Sequence, residues 1–173
     1  TSSNSVFAIL FDMNELFEQF IFETLKRHAS VLKIAVKAQS KRRLVTEERD
    51  VLGDGVWHDR SLFDTYTDIE VTSLATGKRI ILDTKYKLIG EGAHYGVGNA
   101  DVYQILAYKQ IHSYGAKTPH IGLLYPQHKI NFSKEFQVSG YGPTFFVTTL
   151  NLSDDMASNM SGLVREIDIF LRS

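Results

Sequence analysis

The sequence predicts an α/β (α+β) fold in which helices flank a mixed central β-sheet, and three observations carry that prediction. Helical and strand periodicities alternate along the chain. Two β-branched segments are joined by turn residues, and two short apolar runs in the second half read as buried strands. With 173 residues, 43% of them hydrophobic and 23% charged, the chain can bury a core and lacks the polar bias of disorder. A single domain over 1–173 is therefore expected.

Residues 11–27 place Leu16, Phe17, Phe20, Ile21 and Leu25 at helical spacing, with Asp12 or Asn14 available as a cap. Residues 31–36 either continue that helix or form a short segment, and 44–51 reads as a strand or an irregular loop. Gly53, Asp54 and Gly55 mark a turn. Residues 63–73 alternate as a strand, 75–78 supply turn chemistry, and 79–87 form a second strand, giving an antiparallel hairpin. The glycines at 90, 92, 96 and 98 predict a loop. Asn99 or Asp101 caps a helix running to about residue 114 and ended by Gly115. Strands are expected at 119–125 and 144–150, and Ser153 or Asp154 opens a last amphipathic helix through Leu171.

Composition excludes several functions. Cys is absent, which removes disulfides, thiol nucleophiles, Cys-ligated zinc and iron–sulfur clusters. No apolar run approaches a membrane span and no signal-peptide pattern opens the chain, so no membrane partner and a cytoplasmic location are expected. The start at Thr1 rather than Met reads as a piece of something longer. Net charge is −1, yet seven Lys or Arg fall within 26–43 while no acid occurs between Glu23 and Glu47. Such a band suits a phosphate backbone or a solvated helix face and loop in equal measure. The Gly-rich loop lacks the Gly-Lys-Ser/Thr ending of a phosphate-binding loop, so no nucleotide is expected on this chain. His58, His94, His112, His120 and His128 lack metal-ligand spacing, and Trp57 suggests only core or interface.

The hairpin carries the chemistry. Alternation puts Asp68, Glu70 and Thr72 on one face of its first strand, and Asp83, Lys85 and Lys87 on one face of its second. A loop closing at 75–78 pairs Leu74 with Arg79, setting Glu70 opposite Asp83 and Asp68 opposite Lys85. Two carboxylates diagonal across a hairpin lie about 7–8 Å apart at Cα and can converge on one Mg²⁺. A hard metal polarises a phosphodiester and lowers the pKa of an attacking water, while Lys85 would stabilise developing charge. Taken alone, Asp-Thr-Lys is an ordinary surface ion pair worth roughly 0–1 kcal/mol. On the following helix, Gln104 and Tyr108 sit at i and i+4 on one face, beside Asp101.

These elements resemble the PD-(D/E)xK nuclease fold. Asp68 in TDIEV matches the isolated acid, Asp83 and Lys85 in ILDTKYK match the D-x-K, and QILAY matches the Q-x-x-x-Y of RecB-like nucleases. The order FDMNELFE, acid, ILDTKYK and NADVYQILAY is similar to the McrC family, the nuclease subunit of modified-cytosine restriction systems. The resemblance implies an Mg²⁺-dependent endonuclease, with Mn²⁺ as a substitute, that cuts double-stranded DNA when a McrB-like GTP-hydrolysing AAA+ motor translocates. Members carry an N-terminal motor-binding region absent here, making residues 1–10 a linker remnant, and a double-strand cut implies pairing of two nucleases. Asp68 and Asp83 would hold metal, with Lys85 as stabiliser and Gln104 and Tyr108 beside substrate. Glu18 is either a further ligand, as helix acids are in related nucleases, or an exposed helix residue. Lys87, Lys41, Arg42 and Arg43 would touch phosphates. The rivals are a RecB-like repair exonuclease and an inactive docking or DNA-binding module.

Overall fold

A computed structural model describes residues 12–113, 118–129, 131, 133–139, 142, 144–152, 163–165, 167–169 and 171. The element order is α1 (Met13–Leu32), β1 (Ile34–Arg49), β2 (Trp57–Ser73), β3 (Arg79–Thr84), a 3-10 turn (Ala93–Gly96), α2 (Asn99–His112), β4 (His120–Pro126), β5 (Ser133–Gln137) and β6 (Thr144–Leu150). The strands form one sheet in the order β1-β2-β3-β4-β6-β5. Pairing is parallel for β3/β4 and β4/β6 and antiparallel elsewhere, which makes the sheet mixed and the fold α+β, as expected.

Asp12 caps α1 by accepting the Asn14 and Glu15 amides, and Lys33 ends it in the left-handed region. The helix runs through Leu32, so the undecided stretch 31–36 divides at Lys33 between helix and strand. Phe17, Ile21 and Leu25 pack with Ile69, Val71, Ile80 and Leu82 on one face of the sheet, joined there by the helical residues Leu163, Ile167 and Leu171. Ile105 and Tyr108 of α2 cover Ile81, Leu123, Tyr125 and Val147 on the other. Strand β3 is thus buried on both faces, as the continuous IIL run requires. The proposed cap at Ser153 or Asp154, the helix stop at Gly115 and residues 1–10 lie outside the described residues. Among the described residues no helix is long and apolar enough to cross a membrane.

Five expectations need correction. The basic stretch 37–43 is neither helix nor loop but the middle of a 16-residue strand, and β2 begins at Trp57 rather than residue 63. The two form a ribbon whose distal half is exposed, so it lacks the apolar periodicity that marks a packed strand. Strand β5, also largely exposed, was not expected for the same reason. The hairpin turn sits one residue early: the Ser73 amide donates to the Lys78 carbonyl and Gly77 takes φ 69°. That moves the register by two, pairing Glu70 with Ile81 and Ile69 with Leu82. Finally, β3 stops at Thr84, because the Lys87 amide turns back to the Lys85 carbonyl.

Gly122 shows how tightly the sheet is packed. A Cβ there would lie 2.1 Å from the buried Phe146 ring. Gly122→Ala should cost about 1–3 kcal/mol by overpacking, read as a lowered midpoint in thermal denaturation followed by circular dichroism.

Candidate active site

The β2/β3 ladder ends at Ile69/Leu82, and its next step would set Asp68 across from Asp83. There the side chain of Asp68 replaces backbone pairing. Its Oδ2 accepts the Thr84 amide at 2.7 Å and the Thr84 hydroxyl at 2.9 Å. On the other edge of β3, the Lys85 amide still donates to the Leu124 carbonyl of β4. The strands therefore part at Asp68 while β3 stays anchored. The two-residue correction in register keeps both acids on the face toward α2 and brings Asp68, in place of Glu70, close enough for its charge to act on Asp83.

Asp83 is fully buried, and neither carboxylate oxygen has a well-angled hydrogen bond. Lys85 Nζ stands 2.7 Å from its Oδ2 as an ion pair. Burial, then the neighbouring Asp68, pushes the Asp83 carboxyl up to about 7 despite that ammonium. Burial opposes charge on Lys85 too, but Asp83 and Asp68 outweigh it and raise its pKa, so the ammonium holds its proton. Two carboxylates facing each other beside one cation form an anion-rich pocket with unfilled lone pairs.

That donor set fits a hard divalent ion. Mg²⁺ is commonly held by one or two carboxylates, completing its shell with water and phosphate oxygens. Asp68 and Asp83 supply such a pair, and the buried Asp83 Oδ1, without a hydrogen bond, is a cation's natural partner. Among the described residues no three His, Asp or Glu side chains stand close enough to hold a metal, so a third protein ligand is not preassembled. Glu18, half-buried on α1, is close enough to feel the site: burial and then the Asp68 charge raise its pKa, opposed by a hydrogen bond from Gln39.

Tyr108 and Gln104 also converge here, in a supporting geometry. Gln104 Nε2 donates to the Tyr108 hydroxyl at 2.6 Å, and that hydroxyl donates to the Tyr66 carbonyl at 2.7 Å. Tyr108 is buried, and burial is the first cause that raises its pKa, with the Asp83 and Asp68 charges adding to it. The pair ties α2 to β2 two residues before Asp68. Lys87 bends away from the carboxylates to Asp101, which also accepts from the Tyr125 hydroxyl at 2.8 Å. Burial disfavours the Asp101 charge, but Lys87 and Tyr125 more than compensate and lower its pKa. The basic triplet divides by strand alternation. Lys41 and Arg43 are exposed, Lys41 paired to Asp64 at 2.6 Å, while Arg42 turns inward with its Nε buried and unpartnered. Glu70 is drawn off by Arg79 at 3.3 Å.

Two supporting residues escaped the sequence reading. Thr84 holds Asp68, as described above. Asn14 Oδ1 accepts the Tyr86 amide at 3.0 Å, and Phe17 meets the Tyr86 ring edge-on, so the first helix braces the residue after Lys85. The signal for Asn14 is its place inside FDMNELFE, where the sequence offers it only as a possible cap.

A sequence-family profile described as "McrBC 5-methylcytosine restriction system component" matches residues 1–126, a span that includes α1, the β2/β3 carboxylates, α2 and β4. The chain belongs to that family. Its members are components of restriction systems directed at modified cytosine, which places this McrBC-family chain in modification-dependent restriction. No curated protein matches the chain.

Proposed function

We propose that this chain is the nuclease domain of its restriction system, a PD-(D/E)xK endonuclease spanning residues 1–173 that hydrolyses double-stranded DNA. The observation that carries the reading is the meeting of Asp68 and Asp83 where β2 and β3 part, with Lys85 beside them.

When bound, Mg²⁺ or Mn²⁺ would polarise the scissile phosphate and lower the pKa of the attacking water. Asp68, fixed by Thr84, and Asp83 would hold it. Lys85, kept protonated by its acidic neighbours, would place a compact positive charge where the phosphate gathers negative charge. Gln104 and Tyr108 set the position of β2, and Glu18 stands by as a further carboxylate. Lys41 and Arg43 on the exposed ribbon would meet the phosphate backbone. A McrB-like AAA+ GTPase would recognise modified DNA and trigger cutting, and two nuclease copies would serve the two strands.

Calorimetric titration of Mn²⁺ into the wild-type chain and Asp83→Ala tests the site, with circular dichroism on both. Wild-type binding that vanishes in a folded variant is expected. Cleavage of methylated circular plasmid with motor and GTP should likewise need Asp83. Identical metal binding and cutting by two folded proteins would overturn the reading in favour of a docking module, and an enzyme that leaves circular plasmid intact but degrades linear DNA would favour an exonuclease.

A further inference from the structure

A second cavity lies around α2 from the carboxylates. Asn99 and Val102 project from the opposite side of the helix to Gln104 and Tyr108, at 100° per residue. With His94, Tyr95, Phe136 and Phe145 they line a cavity of about 250 Å³. Drug-sized sites run to roughly 300–1,000 Å³, so this one suits a single small ring system.

The lining has the chemistry of a site for a planar heterocycle. Phe136 stacks on Phe145 with centroids 5.3 Å apart and planes at 18°, and Tyr95 meets Phe136 edge-on at 6.3 Å. These rings provide an aromatic wall, while the His94 imidazole and Asn99 amide provide polar edges. At the rim, Lys134 Nζ lies 4.4 Å from the Tyr95 ring centroid and donates to its hydroxyl at 2.9 Å. An aromatic wall, hydrogen-bonding groups at its edge and a cation beside it match base, base edge and phosphate of one nucleotide.

The turn that presents two of these side chains is held in an unfavourable backbone conformation. His94 and Tyr95 adopt consecutive left-handed conformations, φ 60° and 55°, between Gly92 and Gly96. Non-glycine residues rarely do so, and such outliers concentrate at binding and switch sites. The turn belongs to the segment that runs from Lys85 to α2, and Asp101 ties both ends of that segment through Lys87 and the Gly98 amide. The turn and Lys85 thus lie on one short connection between β3 and α2.

We propose that the cavity formed by the 93–96 turn, α2 and β5/β6 receives one unstacked nucleobase of the DNA. The base lies against the Phe136/Phe145 wall with Tyr95 at its side, its polar edge meets His94 and Asn99, and its phosphate meets Lys134. The inference rests on the nuclease reading, since it needs DNA at Lys85.

The test uses the full chain with Ca²⁺ and two labelled probes, a fully paired duplex and the same duplex with a one-nucleotide bulge of 5-iodouracil. Binding is followed by anisotropy, and ultraviolet cross-links are mapped by mass spectrometry. Cross-links should fall on Tyr95, His94 or Phe136, and the bulged probe should bind at least threefold tighter than the paired one. Tyr95→Leu, on the accessible rim, and Phe136→Leu, which keeps apolar bulk, should each abolish that preference, with circular dichroism reporting their fold. Binding with cross-links only elsewhere, or a preference that survives in both folded variants, would overturn the base site and leave the nuclease reading standing. Failure to bind either probe, both alone and with motor and GTP, would overturn both.

Discussion

Asp83→Asn should abolish DNA cleavage while making the metal-free protein more stable at neutral pH. The two effects have one cause. Asp83 is fully buried and faces Asp68, so ionising it costs free energy that only a cation returns. Its carboxyl sits at about 7 when folded against an ordinary value of 3.8, which means that the folded state holds this proton more tightly than the unfolded state. Its contribution is therefore neutral below the unfolded value. The penalty grows as pH rises through the window from about 4 to 7 and is complete above it. Asparagine removes the charge, and with it this pH dependence, although Lys85 loses its ion-pair partner and offsets part of the gain. A net stabilisation of about 1–2 kcal/mol at pH 8 is expected, measured by denaturation in chelator. The difference from wild type should shrink toward pH 4. Cleavage should fall on the order of 10³-fold or more with the loss of a metal ligand. A folded variant that cuts at the wild-type rate would remove Asp83 from the chemistry, and a stability difference independent of pH would remove the buried-charge explanation.

Lys85→Arg should lose at least about 10²-fold in cleavage despite keeping the charge. The Lys85 ammonium is compact, largely buried and 2.7 Å from Asp83 Oδ2. A guanidinium is planar and wider, and it would have to displace either the carboxylate or the space beside it. Single-turnover cleavage in excess Mg²⁺ separates this loss from weakened DNA binding, since the damage should fall on the rate rather than on affinity. Wild-type rates in Lys85→Arg would reduce Lys85 to a generic positive charge. Because its neighbours raise its pKa in the folded chain, the wild-type rate should show no loss from deprotonation of Lys85 on the alkaline side below its ordinary value of 10.5.

The candidate carboxylates were legible because the chemistry is written in local pattern. An acid on a β-branched strand, an Asp-Thr-Lys after a continuous apolar run, and a Gln and Tyr one helical turn apart each declare a face. The shift of the hairpin turn left those faces intact, since moving the register by two preserves the alternation. It did change the partners, replacing Glu70 opposite Asp83 with Asp68. The difference arose in the choice of turn residues, where Ser73 and Lys78 close the loop in place of Leu74 and Arg79. The ribbon was illegible for a different reason. The distal halves of β1 and β2 are exposed, so no hydrophobic alternation records the pairing that makes them strands.

Sequence alone was enough for what depends on neighbours along the chain: the helices, the buried central strand, the shared face of the acids and lysine, and the family resemblance. Long-range packing had to settle the rest. It turned Lys87 toward Asp101 and Tyr108 toward the Tyr66 carbonyl, gave Asn14 the Tyr86 amide 72 residues away, and left Asp83 buried without a well-angled hydrogen bond. A side chain's periodicity states which way it points. Its partner, its desolvation and so its charge are properties of what the fold brings to meet it.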